Sequence, residues 1–135
     1  KKDMRSIKSS SGKSISWISY PSDVKDIYIR MEVDANGARL CIDIQPKDDG
    51  IRSILWEQLT EMKKVMEDIV GDANWSELHA TINNRQISRV YWENASLNFN
   101  LQKDHLQMQD YLKAKIISFD LFYQNYKEIL IGLAE

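Results

Sequence analysis

The sequence predicts an α+β fold in which an antiparallel sheet of about five strands is packed by two long helices. Alternating apolar and polar residues on both sides of Asn36-Gly37 predict a β-hairpin. Apolar residues spaced three and four apart predict helices over residues 49–70 and 104–132. The length of 135 residues fits a single domain, residues 1–135, that is large enough to bury a core.

The hairpin is the clearest local signal. Its alternating apolar residues are Ile27, Ile29, Met31, Val33, Leu40, Ile42 and Ile44. Asn and Gly tolerate the positive φ of a type I′ turn, so a two-residue turn at Asn36-Gly37 would set Asp34 opposite Arg39 and Arg30 opposite Asp43. The pattern therefore predicts one apolar face and one solvated, charged face. Because an exposed cross-strand pair is worth about 0.2–1 kcal/mol, we expect Asp43→Asn to change stability by less than roughly 1 kcal/mol.

Further strands are expected before and after this hairpin. Residues 14–20 alternate well enough for one strand. Residues 75–92 predict a second hairpin around a loop at 83–85, in which pairing of Leu78 with Val90 is one of several registers that fit.

The helix boundaries carry capping residues. Asp48 or Asp49 can cap the first helix, and Gly71 stands where a helix-ending glycine is favoured. Asp104 and Gln107 match a capping box at the start of the last helix. At 1.5 Å per residue the last helix is roughly 40 Å long, about twice the length of a typical strand. Either one end projects to meet a partner or a second copy, or the helix packs diagonally.

Charge and cysteine content limit the partners and the compartment. With 18 basic and 20 acidic residues the net charge is −2, which does not support nucleic acid as a partner and excludes a polybasic membrane binder. Five basic side chains fall within residues 1–13, where we expect a frayed terminus or a helix tail. The lone cysteine, Cys41, favours a reducing compartment, and the cytoplasm is expected. The opening residues contain neither a starting Met nor an apolar segment, which suggests the C-terminal part of a longer protein without a signal peptide.

The sequence lacks the motifs of zinc sites, serine hydrolases and phosphate-binding loops. His79 and His105 are the only histidines and fall in different predicted elements, so we do not expect a zinc site. The sequence has no Gly-x-Ser-x-Gly motif and no glycine-rich phosphate loop. No cofactor is therefore expected, with Mg²⁺ as the one alternative considered next.

One group of residues is compatible with catalysis. In the predicted register Asp26, Asp43 and Gln45 share a face of neighbouring strands, and Lys47 lies opposite Asp26. Asp26 and Asp43 could hold Mg²⁺, while Gln45 or Lys47 steadies the attacking water. The order resembles the Asp…(Asp/Glu)-x-Lys motif of the restriction-enzyme-like nucleases, and the element order is loosely similar to theirs. Gln45 stands where an active enzyme has Lys. The alternative is a solvated face with an Arg30–Asp43 salt bridge.

Six short motifs follow one another along the chain. They are Ser16-Trp17-Ile18-Ser19-Tyr20, Val24-Lys25-Asp26-Ile27-Tyr28-Ile29-Arg30-Met31, Ile42-Asp43-Ile44, Trp56-Glu57-Gln58-Leu59, Ser88-Arg89-Val90-Tyr91 and the helix that begins at Asp104. Together they resemble a bacterial domain-of-unknown-function family, number 4268, from about Met4 onward. The chain departs from it at Gln45-Pro46-Lys47 and at Asp43, where the family has Glu. The resemblance implies an uncharacterised module, often C-terminal in longer proteins, and supplies no catalytic residues.

These observations favour a non-catalytic accessory or interaction module of a larger bacterial protein over an enzyme. Its expected partner is another protein, or a second copy bound through the C-terminal helix, and not a membrane. The alternative is an active or degenerate Mg²⁺-dependent nuclease with the candidate residues Asp26, Asp43, Gln45 and Lys47.

Overall fold

A computed structural model describes residues 5–8, 14–80 and 85–134. The strands are β1 (Arg5–Lys8), β2 (Ser14–Pro21), β3 (Ile27–Asp34), β4 (Gly37–Ile44), β5 (Asn74–Ala80) and β6 (Gln86–Asn94). The α-helices are α1 (Asp49–Glu61), α2 (Lys63–Val70) and α3 (His105–Ala134), and a 3₁₀ turn at Gln102–Asp104 leads into α3.

The strands form one antiparallel sheet in the order β1-β2-β3-β4-β6-β5, which confirms the α+β fold. In the part of the chain described, the sheet has six strands, against the expectation of about five. The additional strand is β1. Residues 5–8 pair with β2 as an edge strand, so the expected frayed terminus or helix tail is wrong for this segment.

The turn between β3 and β4 lies one residue earlier than predicted. Asp34 pairs with Gly37, so Ala35 and Asn36 form the turn, and positive φ occurs at Gly37 rather than Asn36. The turn is therefore not type I′. The Asp34 carboxylate accepts a hydrogen bond of 2.8 Å from the Asn36 N–H, an arrangement that favours this turn position. The register shifts by two residues, so the apolar face is kept while the residues directly opposite one another change, and Arg39 lies opposite Glu32 rather than Asp34.

Gly37 is required by the close approach of the next strand. A Cβ atom at this position would lie 2.2 Å from the carbonyl oxygen of Asn94, and the φ of +136° disfavours any side chain. The glycine of the Asn36-Gly37 pair thus allows β4 to lie beside β6 rather than completing a two-residue turn.

The second hairpin is confirmed in outline, but its register differs from the predicted one. Trp75 pairs with Val90, and Ala80 pairs with Gln86. The pairing shifts between Ser76 and His79, so the predicted pairing of Leu78 with Val90 is wrong. Such an irregularity moves one strand past the other, which alternation alone does not reveal. Most of the predicted loop lies outside the described residues.

The helix predicted over residues 49–70 is divided in two at Met62. The predicted caps are confirmed at both ends. Asp48 Oδ1 accepts hydrogen bonds from the N–H groups of Gly50 (2.8 Å) and Ile51 (3.1 Å), and Gly71 ends α2 with a φ of 110°.

The C-terminal helix α3 has 30 residues and is about 45 Å long. Its buried residues extend from Met108 to Ala134, so both ends contact the domain, as in the diagonal alternative. The predicted capping box is wrong, because the Asp104 N–H donates to the Leu101 carbonyl oxygen at 2.9 Å and not to Gln107, while Asp104 Oδ2 accepts a hydrogen bond of 2.9 Å from the Asn98 N–H. Within residues 5–8, 14–80 and 85–134, neither α3 nor any other helix is long and apolar enough to cross a membrane.

The three helices cover one face of the sheet and form the main core with it. Buried residues of this core include Leu40, Ile42, Ile44, Val90 and Trp92 from the sheet and Leu55, Leu59, Met66, Phe119 and Phe122 from the helices. Trp92 is fixed by a hydrogen bond of 2.7 Å from its Nε1 to the Gly71 carbonyl oxygen. Because side chains alternate along a strand, the residues between these core positions occupy the opposite face of the sheet.

Candidate functional site

The four residues predicted for a nuclease centre lie in two different places. Asp26, Gln45 and Lys47 line one pocket of about 280 Å³ where β3 begins and β4 ends, and we name it the end pocket. Asp43 does not line this pocket. It lies farther along β4, between Tyr28 of β3 and Arg89 of β6.

The end pocket is built on the final pairing of β3 with the segment after β4. The backbone N–H of Gln45 donates to the Asp26 carbonyl oxygen at 2.8 Å, which continues the strand register. Arg85 fixes the other side, because its Nη1 donates to Gln45 Oε1 (3.2 Å) and its Nη2 to the Gln45 carbonyl oxygen (2.9 Å). The residues that line the end pocket are Lys25, Asp26, Gln45, Pro46, Lys47, Asp48, Ile51, Arg85 and Ala134.

Asp43 is buried and paired with an arginine. It is 2% exposed, and both of its carboxylate oxygens accept hydrogen bonds from Arg89: Nε to Oδ1 at 2.6 Å and Nη2 to Oδ2 at 3.0 Å. The predicted Arg30–Asp43 pair is wrong. Arg30 lies opposite Cys41, and its Nε donates to Glu32 at 2.6 Å. The shift in register separated the two residues.

Glu32 is the centre of a larger ionic cluster on the face turned away from the helices. Its carboxylate accepts hydrogen bonds from Arg30 Nε (2.6 Å), Arg39 Nε (2.9 Å) and Arg89 Nη1 (3.5 Å). Arg39 also contacts Asp34 and Glu93, so the predicted Asp34–Arg39 ion pair is present, although Arg39 lies opposite Glu32 and not opposite Asp34. We define the ionic cluster as Arg30, Glu32, Asp34, Arg39, Asp43, Arg89 and Glu93.

Burial and pairing oppose each other in this cluster, and pairing dominates. Burial disfavours the charge of Glu32, yet Arg89, Arg30 and Arg39 together hold the pKa of its carboxyl below the usual value. Burial likewise opposes the charges of Arg39 and Arg89, but their carboxylate partners raise the pKa of both guanidinium groups. Pairing therefore favours the charged forms of Glu32, Arg39 and Arg89.

The hydrogen-bonding groups of the cluster are satisfied within the protein. In the described part of the chain, no buried side-chain nitrogen or oxygen lacks a partner. Across the same residues, no three His, Cys, Asp or Glu side chains come together as a metal site requires. The arrangement holds neighbouring strands together, and its carboxylates are already occupied by arginines.

Cys41 lies in the middle of the charged face but is fully buried. Burial raises the pKa of its thiol well above the ordinary value, with Glu32 and Asp43 adding to the effect and Arg89 opposing it. The thiolate is the nucleophilic form of cysteine, so this environment keeps the side chain unreactive.

The outward side of α3 carries exposed aliphatic residues. Ile117 is 55% exposed and Leu121, one turn later, is 61% exposed. Ala114, Ser118 and Asn125, at spacings of three and four residues from them, are small or uncharged, whereas Lys113 and Asp120, at the same spacings from Ile117, are charged. We define the outer strip as Ala114, Ile117, Ser118, Leu121 and Asn125.

Sequence reasoning missed one arginine of each site, Arg89 of the ionic cluster and Arg85 of the end pocket. Arg89 was not identified because the pairing of β6 with β4 joins residues 46 positions apart. Arg85 was placed in a loop, with no indication that this loop returns to Gln45. The position of Glu32 was indicated by the sequence, because Glu32 follows Arg30 by two residues and the two side chains therefore share one face of β3. Charged residues on one face favour ion pairs with the neighbouring strand.

Comparison with known proteins identifies the family. No curated protein and no solved structure matches the chain. The family model described as "Domain of unknown function (DUF4268)" matches residues 1–127, nearly all of the 135-residue sequence. The motifs that gave the resemblance lie on β2, on β3 and the turn before it, on β4, α1 and β6, and at the start of α3, and the chain belongs to the DUF4268 family.

Proposed function

We propose that this domain is a non-catalytic interaction module that pairs with a second copy of itself through the outer strip of α3. The observation that carries the proposal is the exposure of Ile117 and Leu121 in the middle of a helix whose other side is fixed in the core. Full burial of such a side chain contributes about 1.5–3 kcal/mol.

The composition of the outer strip favours a second copy as the occupant. Its five residues are uncharged, although Lys113 and Asp120 lie beside it, and the Asn125 amide already donates to the Leu121 carbonyl oxygen at 3.0 Å. In an antiparallel pair of α3 helices, Ile117 of one copy would lie against Leu121 of the other, and a twofold axis would repeat the contact. Ala114 and Ser118 are small enough to permit close approach of the two helices.

The buried ionic cluster supports the non-catalytic part of the proposal. Asp43 and Glu32 are bound by arginines, so neither offers a free carboxylate to a substrate. A bacterial cytoplasmic location also belongs to the proposal, supported by the single, buried Cys41, which fits a reducing compartment.

The test is the oligomeric state as a function of concentration, measured by analytical ultracentrifugation. One helix face is smaller than the roughly 800 Å² per partner of a standard interface, so we expect a reversible dimer that dissociates on dilution. Leu121→Lys should abolish it. Leu78→Lys is the matched control, because Leu78 is also exposed (64%) but lies on β5. A monomer at every concentration, or equal loss of dimer in both variants, would contradict the proposal.

A nuclease is the second candidate, supported by the shared position of Asp26, Gln45 and Lys47 in the end pocket. Against it, Asp43 is bound by Arg89 and Gln45 by Arg85. Calorimetric titration with Mg²⁺ and Mn²⁺, with DNA cleavage measured alongside, separates the two functions. Metal binding that is lost in Asp26→Asn, together with cleavage by the unsubstituted protein, would favour the nuclease. An absence of divalent-ion binding would eliminate it.

A further inference from the structure

The end pocket brings three cations and two carboxylates to one opening. The cations are Lys25, Lys47 and Arg85, and the carboxylates are Asp26 and Asp48. Asp48 is already used as the cap of α1, where its Oδ1 accepts two backbone N–H groups. The negative charge of Asp48 stays in the lining, so the three cations outnumber the carboxylates by one, and Asp26 is the carboxylate that does not cap a helix.

The groups in the pocket are only partly used by the protein itself. Within residues 5–8, 14–80 and 85–134, the side chains of Lys25, Asp26 and Lys47 make no hydrogen bond or ion pair. Arg85 is held in place by its two hydrogen bonds to Gln45. An arginine fixed in this way loses little conformational freedom when a ligand binds, which favours binding.

Asp26 has a backbone conformation that side chains disfavour. Its φ is +62°, and among the described residues other than glycine it is alone in having a positive value. The Ile27 N–H donates to the Val24 carbonyl oxygen at 3.1 Å, so Asp26 is the third residue of a tight turn, a position that favours glycine or asparagine when φ is positive. Backbone strain is concentrated at functional sites, so a strained residue whose carboxylate lines a pocket indicates that the carboxylate binds a ligand there.

We propose that the end pocket binds a small phosphate monoester that carries a hydroxyl group beside the phosphate. Lys25, Lys47 and Arg85 would contact the phosphate oxygens, for which basic side chains are the preferred partners. Asp26 would accept a hydrogen bond from the neighbouring hydroxyl, and Ile51 and Pro46 would contact the carbon atoms. The volume of about 280 Å³ limits the ligand to a small molecule. This site is independent of the outer strip.

The test is calorimetric titration of the chain with glycerol 3-phosphate and with inorganic phosphate, both with EDTA present so that no divalent ion contributes. We expect saturable binding of both probes, with glycerol 3-phosphate the tighter because only its hydroxyls can reach Asp26. Replacing both lysines, Lys25→Met with Lys47→Met, should weaken binding at least roughly tenfold, since each charge-assisted hydrogen bond contributes that much or more. Lys64→Met, an exposed position on α2, is the matched control and should change nothing.

Asp26→Asn separates the role of the carboxylate from that of the backbone. Asparagine tolerates positive φ as readily as aspartate, so the turn is preserved, as far-UV circular dichroism can verify. We expect this variant to keep or improve the binding of inorganic phosphate while losing most of the preference for glycerol 3-phosphate. Absence of binding at millimolar probe, or binding that the double lysine variant leaves unchanged, would overturn the proposal. An unchanged preference in Asp26→Asn would overturn the role of Asp26.

Discussion

Arg89 of β6 binds Asp43 of β4 through two parallel hydrogen bonds, of 2.6 Å and 3.0 Å, at a place in the sheet where both residues are almost completely buried. A buried pair of this kind differs from a surface salt bridge because water does not screen its charges. Its net contribution to stability is small when both charges are present, because desolvation offsets attraction. Loss of Asp43 is expensive, because Arg89 then stays buried with only the longer contact of 3.5 Å to Glu32.

The first prediction concerns this pair. Asp43→Asn should lower the free energy of unfolding by about 3–5 kcal/mol, because Arg89 loses its principal counter-ion inside the protein. The sequence alone suggested a change of less than roughly 1 kcal/mol, on the assumption of a solvated face. Urea unfolding followed by circular dichroism measures the difference.

Lys127→Met is the control for that measurement. Lys127 pairs with Asp23 at 3.3 Å, and the aspartate is well exposed, so removing the pair should cost less than about 1 kcal/mol. Equal effects of Asp43→Asn and Lys127→Met would mean that Asp43 is solvated after all.

The second prediction is a pH dependence that originates in Glu32. Its pKa is below 4.5 in the folded protein and near this ordinary value in the unfolded chain. Ionised Glu32 therefore contributes its full stabilisation above about pH 4.5, and the contribution is lost as the pH falls through the lower, folded pKa. The difference in unfolding free energy between the unsubstituted protein and Glu32→Gln should be constant near neutral pH and shrink in acid. A difference that is independent of pH would show that the pKa of Glu32 is not lowered.

The third prediction contrasts two glycines. Gly37→Ala should destabilise the protein by at least about 2 kcal/mol, because the new Cβ meets the Asn94 carbonyl oxygen and the backbone φ is positive. Gly132→Ala should instead stabilise it by about 0.5–1 kcal/mol, since Gly132 lies within α3 and a Cβ there meets no atom within 4 Å. Thermal unfolding distinguishes the opposite signs, and effects of the same sign would contradict the strand packing described for Gly37.

The fourth prediction concerns the reactivity of Cys41. Because the thiol is buried and its pKa is raised, a chromogenic disulfide reagent should modify it only when the domain unfolds. The labelling rate should therefore increase with urea together with the unfolded fraction, and Asp43→Asn should accelerate it. Rapid labelling of the native protein in the absence of urea would contradict this burial.

The apolar face of the sheet was predictable, and the pairing within it was not. Side chains alternate with a period of two, so a register shift of two residues leaves Ile29 and Ile42 on the same face and changes only their partners. The turn decided the register. The hydrogen bond from Asn36 to Asp34 favours a turn one residue before the one that the Asn36-Gly37 pair predicts.

The candidate site was predictable in part for a related reason. Asp26, Gln45 and Lys47 flank the ends of one hairpin, so local pairing was enough to bring them together. The environment of Asp43 depended on β6, which follows β4 only after two helices and another strand. The periodicity of a sequence does not indicate which strand lies beside β4. The break between α1 and α2 at Met62 was also not predictable, because no proline or glycine occurs there.

Because the arginines of the ionic cluster are shared among several carboxylates, evolutionary change there is constrained to occur in groups. Loss of one charged residue leaves its partners buried without a counter-ion. Replacement of a complete set of charged residues by aliphatic residues of similar volume is tolerated in other proteins. We expect related sequences either to retain all of these charged residues or to replace them together by aliphatic residues. The residue types at these positions of neighbouring strands should therefore covary.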